Sequence, residues 1–436
     1  NLQAGTHILL KSGTSYNEQL KPKGIGKQGN PIVISKYGGE EKPIINGQGN
    51  YDATVHIYNM PYVEIRNLEI TNSGAKTESR RRGIWVEAEN FGEVKHTILE
   101  SLYIHDVNGS LVKSEGGGAA IFWKNHGQTK TKFDHLIIQN CHLKNCTRNG
   151  IVSWGYTYRD DWHPSTNVII RNNLLEGIPG DGIVPIGTDG ALIEHNVMRD
   201  CPDILPHLEA AAGIWPWSAD NTLIQFNEVS GHKAWRDGRG FDSDWNCQNT
   251  IFQYNYSHDN YGGFLLVCNE GNTINTPKNI GTINTIARYN ISVNDGIRPY
   301  ETENRGWFSP VIHLTGPVDK TIIHHNLFVF PKKEGENIDN KFIEMDNWGG
   351  PWPTRTLVAK NSMEFTDTYF MFYGESQQHF MVDNEYDESK LTLEQQAQIP
   401  DWASNYLNDH DEAWQDKLID AFFKDNAEIQ SKIRGM

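Results

Sequence analysis

An asparagine recurs along most of this chain, each time near the middle of a short, largely apolar segment. Segments such as VEIRNLEI, VIIRNNLL and TIIHHNLF can be aligned on it. The aligned residues are Asn67, Asn140, Asn173, Asn196, Asn227, Asn255, Asn290, Asn326 and Asn361. From Asn140 onward the intervals run from 23 to 36 residues, a range typical of repeat proteins. This repeat restricts the fold more than any other feature of the sequence.

A second series of short segments follows the first, and each member begins with glycine. Its members read GIVSWG, GIVPIG, GIWPWS, GFDSDW and GFLLVC, and no helical pattern separates the two series. Each repeat therefore holds at least two short strands. We predict an all-β chain, a single-stranded right-handed parallel β-helix in which each coil buries its inward side chains on the next. We expect the asparagines to stack as a ladder that bonds the backbones of adjacent coils.

The two ends of the chain differ from the repeat region. Residues 1–385 are predicted to form the β-helix domain, and residues 386–436 a C-terminal helical cap or extension. In that tail Trp414, Leu418 and Phe422 recur at helical spacing.

Composition limits the partners. The 436 residues carry a net charge of −16, which disfavours nucleic acid and anionic membranes as partners. No apolar run is long enough for membrane insertion. The chain starts at Asn1 without methionine, so we expect a processed secreted, periplasmic or cell-surface protein of a bacterium. The five cysteines lack a CxxC pair, so we predict buried thiols, no bound metal and no cofactor. The sequence carries no indication of the oligomeric state.

The glycine-led segments place two carboxylates together. Alternation along GFDSDW directs Phe241 and Ser243 inward and Asp242 and Asp244 outward. The same alignment puts Trp215 and Trp217 outward on the preceding coil, and Leu265 and Val267 outward on the following one. Sugar rings stack on aromatic faces, and carboxylates transfer protons or attack the anomeric carbon. The sequence therefore predicts a carbohydrate site on this face.

The adjoining segments supply further candidates. Loops on a rigid scaffold are common locations for binding and catalytic groups. The polar candidates are His207, Glu209, His232, Lys233, Arg236, Arg239 and Glu270, and the additional tryptophans are Trp154 and Trp245.

AGTHILLKSGTSY near the start and GFDSDWNCQNTIFQYNYSHDNYGGFLLVC in the middle resemble right-handed parallel β-helix carbohydrate-active proteins, the pectate-lyase-like group. Within it the chain is most similar to β-helical glycoside hydrolases. The segment at Asp244 and Trp245 resembles the one that carries the aspartate nucleophile of β-helical exo-xylosidases. That resemblance implies an acid/base glutamate on the following coil, where this chain has FLLVC and then Glu270.

Our leading hypothesis is a glycoside hydrolase that cleaves a plant or algal polysaccharide or oligosaccharide. Asp242 and Asp244 would form the catalytic pair, completed by Glu270 or Glu209. Two carboxylates this close should titrate as a coupled pair, with one pKa raised. The remaining candidates have binding roles: His207 and His232 for hydroxyl groups, and Trp215, Trp217, Trp154 and Trp245 for sugar rings.

Two alternatives come from other classes. The first is a calcium-dependent polysaccharide lyase, with Lys233, Arg236 and Arg239 facing a uronate. Asp237, Asp242 and Asp244 would then bind Ca²⁺. The second is a non-catalytic carbohydrate-binding β-helix that uses the same aromatic face.

Overall fold

The fold was analysed in a computed structural model, which describes residues 1–270, 277–302, 305–333, 339–391, 394–408 and 410–436. The chain forms two compact units, Asn1–Ile214 and Trp215–Met436. Parallel strands dominate both units, and in each of them the strands form three long sheets.

In the N-terminal unit we name the three sheets A, B and C. Sheet A contains His7–Lys11, Ile32–Tyr37, Val63–Arg66, Glu93–Glu100, Lys132–Gln139, Ser165–Arg171 and Leu192–Glu194, with Thr188–Asp189 beside Ser165–Arg171. Sheet B contains Ser15–Tyr16, Ile44–Asn46, Glu69–Asn72, Tyr103–Asn108, His142–Thr147, Leu174–Glu176 and Val197–Arg199. Sheet C contains Ala53–Tyr58, Arg82–Glu89, Ala119–His126, Asn149–Trp154 and Ile183–Val184. Ala210–Ala211 is a further short strand, and Lys113–Glu115 and Arg159–Asp161 are 3₁₀ turns.

The C-terminal unit repeats this plan in sheets D, E and F. Sheet D contains Leu223–Gln225, Ile251–Gln253, Ile286–Arg288, Val318–His324, Thr354–Ala359 and Gln377–Val382, with Thr282–Ile283 beside Val318–His324. Sheet E contains Glu228–Ser230, Tyr256–His258, Ile291–Val293, Leu327–Phe330, Ser362–Phe365 and Glu385–Tyr386. Sheet F contains Arg239–Ser243, Gly263–Cys268, Ile312–Thr315, Lys341–Asp346 and Phe370–Phe372, and Arg236–Asp237 is a short strand before it.

Each unit is therefore a parallel β-helix, as the sequence predicts, and each coil contributes at most one strand to the main path of each sheet. The core of each unit is a set of apolar stacks in which one inward residue per coil lies on the next. In sheet A the stack runs Ile34, Ile65, Leu99, Ile138, Ile170 and Ile193. In sheet D it runs Ile224, Phe252, Ala287, Ile323, Val358 and Met381. All are buried, and this burial is the main stabilising contribution of a stacked coil.

The asparagine ladder exists, but it does not include every aligned asparagine. Asn290 shows the pattern: its Nδ2 donates to Asn326 Oδ1 at 3.0 Å, and its Oδ1 accepts from the backbone N–H of Asn255 at 3.0 Å. Asn67 and Asn140 were wrongly aligned with it. Both have positive φ and lie one residue earlier, in the turn. Apolar residues or cysteine fill the ladder position in the first coils, and Asn384 extends the ladder beyond Asn361.

The C-terminal tail is helical, as predicted. Its helices are α1 (Asp401–Leu407), α2 (Trp414–Leu418) and α3 (Ala427–Arg434), and a π-helical turn over Ile419–Phe423 follows α2. The wider turn rotates the buried face by one residue, so Phe423 rather than Phe422 enters the core with Trp414 and Leu418. None of the helices described has both the length and the apolar character that a membrane crossing requires.

Candidate active site

From Phe241 onward the segment around the strand Arg239–Ser243 of sheet F directs its side chains alternately inward and outward, whereas Gly240 also faces the interior and Arg239 lines a cavity. The ring of Phe241 packs inside against Phe252, with ring centroids 5.9 Å apart, and Ser243 Oγ lies 3.0 Å from Thr285 Oγ1. Asp242 and Asp244 therefore share the opposite, outer face, as the sequence predicts.

The register of the following strand differs from the glycine-based alignment. Gly263 pairs with Arg239, Leu265 with Phe241, and Val267 with Ser243. Leu265 and Val267 consequently face inward, like Phe241 and Ser243. The prediction that these two residues face outward was wrong. Leu266 and Cys268 are the residues that share the face of the two aspartates.

Asp242, Asp244 and Cys268 form one compact cluster. Cys268 Sγ lies 3.0 Å from Asp244 Oδ1 and 3.8 Å from Asp242 Oδ1. Asp242 is only 4% exposed, whereas Asp244 is half-buried. Burial first, and then the negative charge of Asp244, hold the pKa of Asp242 well above its usual value. This is the direction expected for a coupled carboxyl pair, and it favours the protonated form of Asp242.

A pair of stacked indoles adjoins this cluster. The rings of Trp217 and Trp245 lie 5.0 Å apart at 29°. The Asp244 backbone N–H donates to Pro216 O at 3.3 Å, and Asp244 Oδ1 accepts from the Trp245 N–H at 2.5 Å. Trp217 is half-buried, whereas Trp215 is buried. The structure therefore brings two of the predicted tryptophans directly beside Asp244.

Sequence reasoning missed the polar residues on the next coils of sheet F. His313 pairs with Leu266 and Glu344 pairs with His313, while Thr315 and Asp346 continue the row of Cys268. The signal was present as alternating polar residues in IHLT and FIEMD.

Asp346 binds three groups of this polar row and its surroundings. It forms an ion pair with Arg305 at 2.6 Å, lies 3.1 Å from His313 Nε2 and accepts from Thr315 Oγ1. Burial alone would raise the pKa of Asp346, but the bonds from His313 and Thr315 and the charge of Arg305 lower it instead. Burial lowers the pKa of His313 to about 4, so a neutral imidazole faces an ionised carboxylate at neutral pH.

A cavity of about 340 Å³ opens next to these residues. Its lining is mostly basic and aromatic: Trp235, Arg236, Asp237, Arg239, Arg298, Thr302, Arg305, Phe308, His313 and Trp348. The charges of Asp237 and Arg239, which both line the cavity, also act on the pKa of Asp242. These two residues therefore lie close enough to the carboxyl pair for their charges to act on it. Among the described lining residues Asp237 is the one carboxylate, and the sequence analysis gave it only a calcium-binding role.

The remaining candidates of the C-terminal unit lie in different surroundings. Arg236 and Arg239 line the cavity, and Lys233 is half-buried in the same loop. Glu270 is exposed, two residues after Cys268. His232 is fully buried, and its Nδ1 accepts a 3.4 Å bond from the Ala234 N–H. That position gives His232 a structural contact in place of the predicted surface role.

Three candidates belong to the N-terminal unit. Glu209 forms a 3.1 Å ion pair with the fully buried Arg148 and accepts from the Lys113 backbone N–H, so its carboxylate is committed to a structural network. His207 is exposed, and Trp154, at the end of a sheet C strand, is 46% exposed.

Calcium does not fit the Asp242, Asp244 and Cys268 cluster. Their ligand atoms lie within 4.8 Å of one another, but Ca²⁺ takes oxygen ligands and one of these is sulfur. Burial, followed by the two carboxylates, raises the pKa of Cys268 well above its usual value, so the thiol keeps its proton.

Comparison with known proteins supports the fold. Residues 119–297 match a family model described as a right-handed β-helix region. The solved DFA-IIIase from Arthrobacter chlorophenolicus A6 is 12% identical, with a TM-score of 0.50 over 84% of this chain and 89% of that one. At this identity the likeness shows the fold alone.

Two lacto-N-biosidases are more similar in sequence. The one from Bifidobacterium longum subsp. longum is 28% identical over 417 residues, 73% of this chain but 25% of that protein. The solved GH136 lacto-N-biosidase from Eubacterium ramulus is 25% identical, with a TM-score of 0.66, and the match covers 84% of this chain and 63% of that one. The chain thus spans less than two thirds of either relative. It has the right-handed parallel β-helix fold and is similar to lacto-N-biosidases.

Proposed function

We propose that the chain is a glycoside hydrolase that cleaves an oligosaccharide at the outer face of sheet F. The observation that carries this proposal is the carboxyl pair of Asp242 and Asp244, which lies beside stacked indoles and within reach of the charge of the cavity residue Asp237. Glycoside hydrolysis requires a carboxylic acid that keeps its proton and a second carboxylate that is ionised. The similarity to two lacto-N-biosidases supports the same class of reaction.

The proposed roles follow from burial and charge. Asp242 is the more buried carboxyl group, so it retains the proton that the pair shares. Asp244 is more exposed, and as the ionised partner it acts as nucleophile or base. Asp237 is the cavity carboxylate that completes the set. Trp217 and the cavity residue Trp348 provide aromatic surfaces for sugar rings, and the buried Trp245 supports Trp217 by stacking on it.

The relatives suggest a first substrate. A chromogenic lacto-N-bioside is the compound to test first, followed by plant and algal oligosaccharides. A secreted or cell-surface location is part of this proposal, because oligosaccharides of this kind are encountered outside the cell.

Substitution of Asp244 tests the proposal directly. We expect Asp244→Asn to lower turnover by at least about 100-fold, the contribution typical of a positioned acid or base, with an unchanged circular dichroism spectrum. The matched control is Asp383→Asn, which changes an exposed turn residue with positive φ, where asparagine is tolerated. Full turnover in folded Asp244→Asn would refute the role of this residue.

Lyase chemistry is the second candidate, and the arginine residues of the cavity favour it. Arg236 and Arg239 are suited to neutralise a uronate carboxylate during β-elimination. The same reactions separate the two functions: hydrolysis yields new reducing ends without ultraviolet absorbance, whereas elimination also yields the absorbance of an unsaturated uronate. Activity lost in EDTA and restored by calcium would favour the lyase.

A further inference from the structure

Arg239 carries a guanidinium group that the described residues satisfy only in part. The residue is 2% exposed, and its Nη1 donates to Pro310 O at 2.8 Å. Nε has no hydrogen-bond partner, and no carboxylate of the described residues lies within ion-pair distance of this guanidinium. A guanidinium has five N–H donors, so most of its hydrogen-bonding capacity remains unused.

Two other buried arginines, Arg148 and Arg298, are satisfied by the protein. In the N-terminal unit, Arg148 is equally buried but pairs with Asp181 and Glu209 and donates to Ala210 O. In the C-terminal unit, Arg298 donates to the backbone carbonyls of residues 234, 235, 237 and 308. A buried charge without such partners is costly unless another group compensates it.

The unused donors belong to a residue that lines the cavity. Arg236, also in the lining, is exposed and has no ion-pair partner among the described residues. Arg305 differs because Asp346 neutralises it. Among the described residues no ion pair neutralises Arg236 or Arg239, although the charges of Asp237, Asp242 and Asp339 favour the charged form of Arg239. The described lining thus carries more basic than acidic side chains, in a chain whose net charge is −16. Such a local positive field attracts anions despite the overall charge.

We propose that this cavity binds a sugar residue that carries an anionic group, a carboxylate or a sulfate ester, on Arg239. Guanidinium groups bind such oxygens through paired, charge-assisted hydrogen bonds. Arg236 binds the same group from the solvent side. Trp348, 43% exposed, offers a ring face to the sugar, and Trp235 is held in place by its stack on Tyr300, 4.5 Å away. The volume of about 340 Å³ is in the range of small-ligand sites.

This inference rests on the proposed function only in taking the ligand to be part of a glycan, so binding is measured without turnover. The probes are methyl β-D-glucuronide, galactose 6-sulfate and the neutral methyl β-D-glucoside, titrated by calorimetry and by tryptophan fluorescence. We expect at least one anionic probe to bind ten times more tightly than the glucoside. A comparison of the affinities for the glucuronide and for the sulfated sugar shows whether the cavity binds a carboxylate or a sulfate ester.

Four variants distinguish binding at a specific anion site from nonspecific attraction by the positive charges of the unit. Arg239→Met is expected to abolish the tenfold preference, Arg239→Lys to retain part of it, and Arg236→Gln to reduce it about threefold. Arg288→Gln removes a guanidinium from the same unit outside the cavity and should leave the preference unchanged. If Arg239→Met does not fold, the titrations of Arg239→Lys and Arg236→Gln show whether the preference for anionic probes depends on these arginines.

Equal binding of anionic and neutral probes, or the same loss in Arg288→Gln as in Arg236→Gln, would overturn the proposal. Failure of the hydrolase would look different: the anionic probe would still bind, but no glycan tested would be cleaved. Conversely, cleavage of neutral glycans with no preference for anions would retain the hydrolase and reject the anion site.

Discussion

An asparagine of the ladder satisfies backbone groups of the preceding coil and donates to the ladder asparagine of the following one. Asn290 Nδ2 donates to Phe252 O, and Asn290 Oδ1 accepts from both N–H groups of Asn255. Asn290→Ala would leave these buried groups without partners. We expect it to lower the free energy of unfolding by about 3 kcal/mol, from two or three unsatisfied groups at 1–3 kcal/mol each. Guanidinium unfolding followed by circular dichroism measures this loss.

The control for the ladder prediction is Asn140→Ala. Asn140 ends an equivalent segment but is exposed and has a φ of 55°. Its replacement should cost about 1 kcal/mol, the penalty for a left-handed conformation with a β-carbon. Equal losses in the two variants would mean that the ladder bonds contribute little.

These same residues show how far the sequence could be interpreted. The repeat predicted the fold because an asparagine next to an apolar run is a strong local signal. It could not distinguish the ladder from the turn, since asparagine suits both positions and the two are adjacent. The candidate site was partly predictable for a similar reason. Alternation placed Asp242 and Asp244, but the register of Gly263–Cys268 depends on tertiary pairing, so Cys268 was missed. His313 and Asp346 lie on the two coils of sheet F that follow Gly263–Cys268 but far along the chain, where no local pattern connects them to Asp242.

Among the elements, the C-terminal helices pack against a part of the C-terminal unit that is sensitive to pH. The α2 residue Trp414 stacks on Tyr289, with ring centroids 5.4 Å apart. His324 and His325 lie beside this contact, and His410 is 4.9 Å from His325. Burial lowers the pKa of His325 to about 4, with His410 and Lys360 adding to the shift, and burial lowers the pKa of His324 well below its usual value.

The sign of the resulting pH dependence follows from these shifts. Both folded-state pKa values lie below the unfolded value of about 6.5, so the unfolded chain binds protons more tightly than the folded chain does. The contribution of these histidines to the free energy of unfolding is therefore complete above about pH 6.5 and is lost as the pH falls towards 4. After allowance for solvent screening, we expect His325 to account for about 1 kcal/mol of lost unfolding free energy between pH 7 and pH 5. Denaturant unfolding at the two pH values should therefore show a smaller difference for His325→Gln than for the unmodified protein. An identical pH dependence would exclude His325 as a cause.

At the scale of the whole molecule, the reactivity of the cysteine thiols measures the opening of coils in both units. All five are buried thiols that form no disulfide, and they lie in coils from residue 141 to residue 268. Burial raises the pKa of Cys141 and Cys146 to about 12, which suppresses the reactive thiolate as well as access to it. A coil therefore has to open before its thiol can react.

We expect fewer than one thiol per chain to react with a thiol reagent at pH 8 in the native state, and all five to react in guanidinium. Mass spectrometry of peptides labelled during partial unfolding then identifies the coil that opens first. Cys268 is the informative residue, because its sulfur contacts both carboxyl groups of the candidate active site. Rapid native labelling of Cys268 with the other four protected would show that this face opens on its own. Asp242 would then be hydrated and its pKa would fall towards the ordinary value, so the acid proposed for catalysis depends on this thiol staying protected.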